Sequence, residues 1–153
     1  MARSSRRRLK AKAAAIDLMA SRGDIFDPVR RRRVALTPEE WVRQQTIALL
    51  HDRMGYPYEL MQVEGAISLN GLTKRCDIVV YDAQVRPRMI VECKREEVPL
   101  TQRVADQASR YNLVLGVPYL LLTNGQMQCC LHVEDGALRS VALPSWQELN
   151  AGG

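Results

Sequence analysis

The segments Arg75-Cys76-Asp77-Ile78-Val79-Val80-Tyr81-Asp82 and Arg88-Met89-Ile90-Val91-Glu92-Cys93-Lys94 decide how this chain folds. Each carries an unbroken apolar run, rich in β-branched residues and too short for a buried helix. Strands that are apolar on both faces are central strands, covered by helices on either side. The Ala83 to Pro87 connection is short enough to fold one strand back antiparallel on the other. Charged residues interrupt this pattern at three places. Glu92 and Lys94 are two apart and share one strand face, and antiparallel pairing sets Asp77 opposite them or one step diagonal.

Working outward, Leu60 to Leu69 reads as a further strand, separated from the Arg75 segment by Asn70-Gly71, a favoured turn dipeptide, so the three form an antiparallel meander. Upstream, Thr37-Pro38-Glu39-Glu40 reads as a helix start, with Thr at the cap, Pro in the first turn and Glu three residues after the cap. That helix runs to about Met54, burying Ile47, Leu50 and Met54, and stops at Gly55. Downstream, a second helix fits Thr101 to Leu115, with Val104, Ala108, Tyr111 and Leu115 at helical spacing. Tyr119 to Thr123 and Met127 to Val133 pair through Asn124-Gly125, Leu138 to Leu143 adds a short edge strand, and the Trp146 segment closes the chain as a turn or helix. The fold class is therefore α/β, a mixed sheet with helices against it.

Two carboxylates and an ammonium on one face of a central sheet are costly unless they are paired or hold a cation. In one reading Asp77 and Glu92, with the backbone carbonyl of Cys93, offer hard oxygen ligands to Mg²⁺. Lys94 then orients the attacking water and stabilises charge developing on a phosphoryl oxygen. In the other reading these residues are a plain ion pair at a strand end. Glu40 likewise has two roles open to it, as reciprocal partner of the Thr37 cap or as a further metal carboxylate. Gln107 and Tyr111 are four apart and stack on one helical face, which serves packing, surface hydrogen bonding or a site. His51 and His132 are far apart, with no Ser or Cys nucleophile in a recognisable setting, which argues against a catalytic triad. A Gly-x-x-x-x-Gly-Lys phosphate loop and a dinucleotide fingerprint are both missing from the sequence, so it encodes neither an ATP-driven motor nor a Rossmann enzyme.

The chain has 153 residues, 46% apolar and 25% charged, which suits one globular domain with a tail. Its net charge of +5 is unevenly spread. Residues 1–33 hold eleven Lys and Arg against three acids, a net of +8, whereas residues 34–153 hold eleven against fourteen, a net of −3. The division expected is a basic arm over 1–33, disordered or helical, followed by a domain over 34–153. Arg30, Arg31, Arg32 and Arg33 form its densest run, and such an arm is attracted to polyanions such as DNA. The same composition fits an organellar transit peptide, but no apolar run reaches the length of a membrane span or signal-peptide core, and the expected location is the cytoplasm. Cys76, Cys93, Cys129 and Cys130 lie in apolar stretches and read as reduced core residues.

Glu40, Asp77, Glu92-Cys93-Lys94 and Gln107-Ala108-Ser109-Arg110-Tyr111, in this order, resemble the PD-(D/E)XK nuclease superfamily. In particular the chain resembles the N-terminal nuclease domain of type I restriction enzyme R subunits, from about Thr37 to Val133. The similarity includes Thr37-Pro38-Glu39-Glu40-Trp41-Val42-Arg43-Gln44 and Leu122-Thr123-Asn124-Gly125. The resemblance implies a restriction-endonuclease-like fold and Mg²⁺-dependent hydrolysis of DNA, with Mn²⁺ able to substitute. It makes Asp77 and Glu92 metal ligands, Lys94 the catalytic lysine, Glu40 the first-helix acid, and Gln107 and Tyr111 a motif for DNA engagement. Cys76 stands where the superfamily name has Pro. The partners implied are DNA and restriction-modification or helicase subunits, and a homodimer would let two sites cut two strands. The alternative is a non-catalytic module that keeps the fold and docks to DNA or to a restriction subunit.

Overall fold

The computed structural model describes residues 23–152. Two strands come first, β1 (Asp24–Asp27) and β2 (Arg32–Ala35), paired as an antiparallel hairpin. Helix α1 (Pro38–Ala48) follows, capped by the Thr37 hydroxyl, which accepts the Glu40 N–H at 3.1 Å. The helix extends to Met54 as expected, but its last turn, Leu49–Arg53, is π-helical, and Gly55 with φ +79° ends it. Then come β3 (Met61–Val63), β4 (Ala66–Leu69), β5 (Leu72–Arg75), β6 (Ile78–Tyr81) and β7 (Pro87–Cys93). Helix α2 (Gln102–Leu115) leads to β8 (Tyr119–Thr123), β9 (Gln128–Glu134), β10 (Ala137–Val141) and the short α3 (Trp146–Ala151).

Six strands form the main sheet in the order β10-β9-β8-β7-β6-β3. Only β7 and β8 run parallel, joined by the α2 crossover, as parallel neighbours require. Alternation along β6 and β7 divides the core into two layers. Ile78, Val80, Met89, Val91 and Cys93 pack with Val42, Ile47, Leu50 of α1 and Leu149 of α3. Val79 and Ile90 point the other way, against Leu115, Ile67 and Cys76 beneath α2 and the β4–β5 ribbon. The two strands are thus covered on both faces, as their continuous apolar runs demand.

Two expectations are corrected. The stretch read as one strand from Leu60 to Leu69 breaks at Glu64, whose φ of +55° turns the chain out of the sheet. β3 stays in the main sheet beside β6, while β4 and β5 form a separate ribbon around Asn70-Gly71. Residues 23–33 of the expected arm form most of the β1–β2 hairpin, neither disordered nor helical. Ile25 and Asp27 are buried, and the Asp27 carboxylate accepts the Val29 and Arg30 N–H groups at 2.7 and 2.9 Å, fixing the turn. The rest of that arm lies outside the described residues.

Candidate active site

Pairing of β6 with β7 ends at Ile78 and Val91, so Asp77 and Glu92 face each other one step beyond the last ladder pair. There the Asp77 carboxylate takes over the ladder's role and accepts the Cys93 N–H at 2.8 Å. Lys94 is held just past the end of β7 by its own N–H, donated to the Thr123 carbonyl at 2.8 Å. The following turn is braced by Asn124, whose side chain donates to the Val98 carbonyl at 2.9 Å and accepts from Gln126 and Met127. The Leu122-Thr123-Asn124-Gly125 stretch therefore positions Lys94.

Glu92 and Lys94 share the α2 face of β7, as their spacing predicts. With Lys74, Gln107 and Tyr111 they line a cavity of about 150 Å³. Glu92 forms an ion pair with Lys74, whose ammonium also lies over the Tyr111 ring, 5.2 Å from its centroid. Burial pushes the Glu92 carboxyl above the usual range, and the opposing charge of Asp77 adds to this, although Lys74 and Lys94 pull it back. Among the described residues Lys94 makes no ion pair. Beside the cavity, Arg103, Gln107, Arg110 and Tyr111 border a wider depression of about 590 Å³ on the outer face of α2.

The opposite side of Asp77 belongs to α1. Arg43, almost wholly buried, donates to Asp77 at 3.3 Å and to Glu40 at 3.2 Å, and lies 3.4 Å from Glu64. Arg30 pairs with Asp27 and Glu40 and reaches Glu64 at 3.5 Å. Each buried charge in this network has at least two partners, although Arg43 Nε has none.

Glu92, Lys94, Gln107 and Tyr111, anticipated from sequence, line one groove, and Asp77 stands opposite Glu92 at the strand end. Glu40 does not join them. Its carboxylate does not return to the Thr37 N–H, which is donated to Ala35, and Arg43 stands between Glu40 and Asp77. Arg30 is turned inward onto acids, while Arg31, Arg32 and Arg33 remain exposed on the hairpin, with Arg33 paired to Asp24. Sequence reading overlooked Lys74 and Arg43. A signal for Lys74 existed: it occupies an inward position on β5, two residues from Leu72 and opposite buried Ile67.

The donor chemistry fits a hard divalent cation. Asp77 and Glu92 present two opposed carboxylates, and burial leaves Glu92 short of compensating charge despite Lys74. Among the described residues no group of three or more His, Cys, Asp or Glu side chains gathers.

A mixed sheet carrying an acid before one central strand, and an acid and lysine at the end of the next, defines a restriction-endonuclease-like α/β domain. Residues 38–145 match the family described as Type I restriction enzyme R protein N terminus, and the chain belongs to that family. A solved fragment of a candidate HsdR subunit of a type I restriction enzyme from Vibrio vulnificus YJ016 superposes with a TM-score of 0.54 at 22% identity. That match covers 74% of this chain and 24% of the fragment. A candidate nuclease of the DUF820 group from Anabaena variabilis ATCC 29413 superposes with a TM-score of 0.49 at 10% identity, covering 84% of this chain and 89% of that one. No curated protein matches the chain.

Proposed function

We propose that this domain hydrolyses DNA phosphodiester bonds with Mg²⁺, Mn²⁺ substituting. The observation that carries this reading is the meeting of Asp77, Glu92 and Lys94 at one open end of the β6–β7 pair, beside a groove lined by Gln107 and Tyr111. Asp77, Glu92 and the Cys93 carbonyl would hold the cation, which when bound polarises the phosphate and lowers the pKa of the attacking water. Lys94, fixed through Thr123, offers its ammonium to a phosphoryl oxygen as charge develops there. Gln107 and Tyr111 give α2 a hydrogen-bonding and stacking edge for DNA, and Arg103 and Arg110 add phosphate contacts beside them. Exposed Arg31 and Arg32 offer further phosphate contacts from the hairpin, whereas Arg30 serves the fold. Restriction-modification or helicase subunits are the natural partners of such a domain, in the cytoplasm. A homodimer of it would cut both strands.

A second reading has its own support. Both site carboxylates already carry cations of the chain, Arg43 on Asp77 and Lys74 on Glu92, as in a module that keeps the fold for DNA or subunit docking alone. Supercoiled-plasmid nicking at low salt, with Mg²⁺, Mn²⁺ or EDTA, separates the two. Nicking that requires metal and disappears in Asp77→Ala and Lys94→Ala is the result expected of the nuclease. Inert wild type that still shifts DNA in a gel is the result expected of the module.

A further inference from the structure

We propose that Lys74 is a positioning residue of the cation site: its ammonium holds Glu92 in the metal-free protein and is displaced when a divalent cation binds. This inference rests on reading Asp77 and Glu92 as the metal ligands.

The argument begins with where Lys74 sits. On β5 the inward positions are Leu72 and Lys74, and Lys74 lies across the ribbon from Ile67, which is buried. An apolar residue belongs at such a position, and a lysine there leaves its charge little access to water. Its side chain is 18% exposed and reaches past the core to Glu92. The ammonium thus sits on the Glu92 carboxylate, where a bound cation would compete with it.

Single charge limits what this ammonium can do. Glu92 and Asp77 oppose each other across the register, and Lys74 serves Glu92 alone, with Asp77 left to Arg43. A divalent ion held by Asp77 and Glu92 would bring Glu92 twice the charge of the ammonium and would repel that ammonium by like charge. The face of Tyr111, over which the ammonium already lies, would go on attracting it without competing for the carboxylates. The element that carries Lys74 is suited to such an exchange. The β4–β5 ribbon pairs with no strand of the main sheet, and its tip is tied to α2 by the Asn70 side chain, which donates to the Val114 carbonyl at 3.0 Å. Arg43 differs on each of these points: it is more deeply buried, sits mid-helix and is shared among three acids.

The test is Mn²⁺ titration of the full chain without DNA, at pH 8 and low salt, following free Mn²⁺ by its paramagnetic resonance signal. Lys74→Met is expected to bind Mn²⁺ about tenfold more tightly than wild type, a coupling in the ordinary range for linked sites. Lys74→Arg, which keeps the charge, is expected to stay within about twofold of wild type on the same scale. Urea melts in EDTA verify that each variant is folded, and Lys74→Gln replaces the Met variant if that one melts early. Wild type that binds Mn²⁺ while both neutral variants bind no more tightly overturns the role of Lys74. Absence of Mn²⁺ binding in every variant overturns the metal-ligand reading itself, and the Lys74 role with it. Glu92→Gln marks that distinction, since it is expected to weaken binding wherever the reading of Glu92 as a ligand holds.

Discussion

Arg43 and Lys74 each place a cation on a carboxylate at the open end of β6 and β7, one from α1 and one from the β4–β5 ribbon, and they do so by different means. The α1 side is a closed lattice. Arg30 and Arg43 are each divided among three acids, and the lattice runs without a break from Asp27 to Asp77. Removing either arginine strands several acids. The α2 side is a single pair beside a cavity, with Lys94 next to it and without an ion pair among the described residues. A buried ion lattice makes a rigid wall, because each charge depends on several partners; one pair beside open space can be exchanged for another ion. The site thus joins a fixed half that orients Asp77 to an exchangeable half that holds Glu92.

If this contrast is sound, the largest loss of stability follows from breaking the lattice. Arg43→Ala removes the guanidinium from buried Glu40 and Asp77, and is expected to cost about 3–5 kcal/mol in urea denaturation. Replacing Glu40 by Met in the same chain should recover part of that loss, since the uncompensated charge then disappears. A loss under about 1 kcal/mol, typical of an exposed pair, would mean that the lattice is solvated.

Asp27→Asn comes next, at about 1.5–3 kcal/mol for a charge-assisted hydrogen-bond set. Burial alone would raise the Asp27 carboxyl, but the N–H groups of Arg30 and Val29 and the Arg30 guanidinium hold it below its ordinary value. A carboxylate with a depressed folded pKa contributes stability that is fully present above its unfolded value of about 3.9 and is lost as pH falls through the folded value. The wild type should therefore lose this increment on acidification and the Asn variant should not. Parallel denaturation curves for the two proteins below pH 4 would remove the hairpin from the lattice. Glu40→Gln is smaller again, about 1–2 kcal/mol, with Mn²⁺ affinity unchanged because Arg43 stands between it and Asp77. A drop in Mn²⁺ affinity would restore Glu40 as a ligand.

These residues also show which parts of the molecule can be read from sequence. β6 and β7, the Thr37 cap and the two Asn-Gly turns are local patterns, in which a few adjacent residues decide the outcome. Asp77, Glu92 and Lys94 were legible because a charge inside an apolar strand is conspicuous, and period-two geometry fixes its face. The hairpin was not legible, because a run of arginines read by net charge looks like a solvated arm. Arg30 acquires its meaning from Glu40 and Glu64, acids distant along the chain. Lys74 was missed for a related reason: its partner Glu92 lies eighteen residues away, and nothing local marks the ribbon as detached from the sheet. The shift at Leu49–Arg53 from α to π geometry has no sequence mark that we recognise.

The smallest effect is also of opposite sign, and it probes the exchangeable half directly. Burial raises the Glu92 carboxyl above its ordinary value, and Lys74 does not fully reverse this. A carboxyl whose folded pKa exceeds its unfolded one takes up protons on folding. Its ionised form therefore works against the fold, and stability falls as pH climbs from the unfolded value, about 4.3, through the folded one. Glutamine has nearly the same shape and does not ionise. Glu92→Gln is thus expected to gain roughly 0.5–1 kcal/mol in EDTA at pH 8, and to lose that advantage at about pH 3, where the wild-type carboxyl is protonated in both states. Urea melts at the two pH values measure it. If Glu92→Gln is instead less stable at pH 8, the Lys74 pair outweighs the burial of Glu92, and the two halves of the site are locked alike.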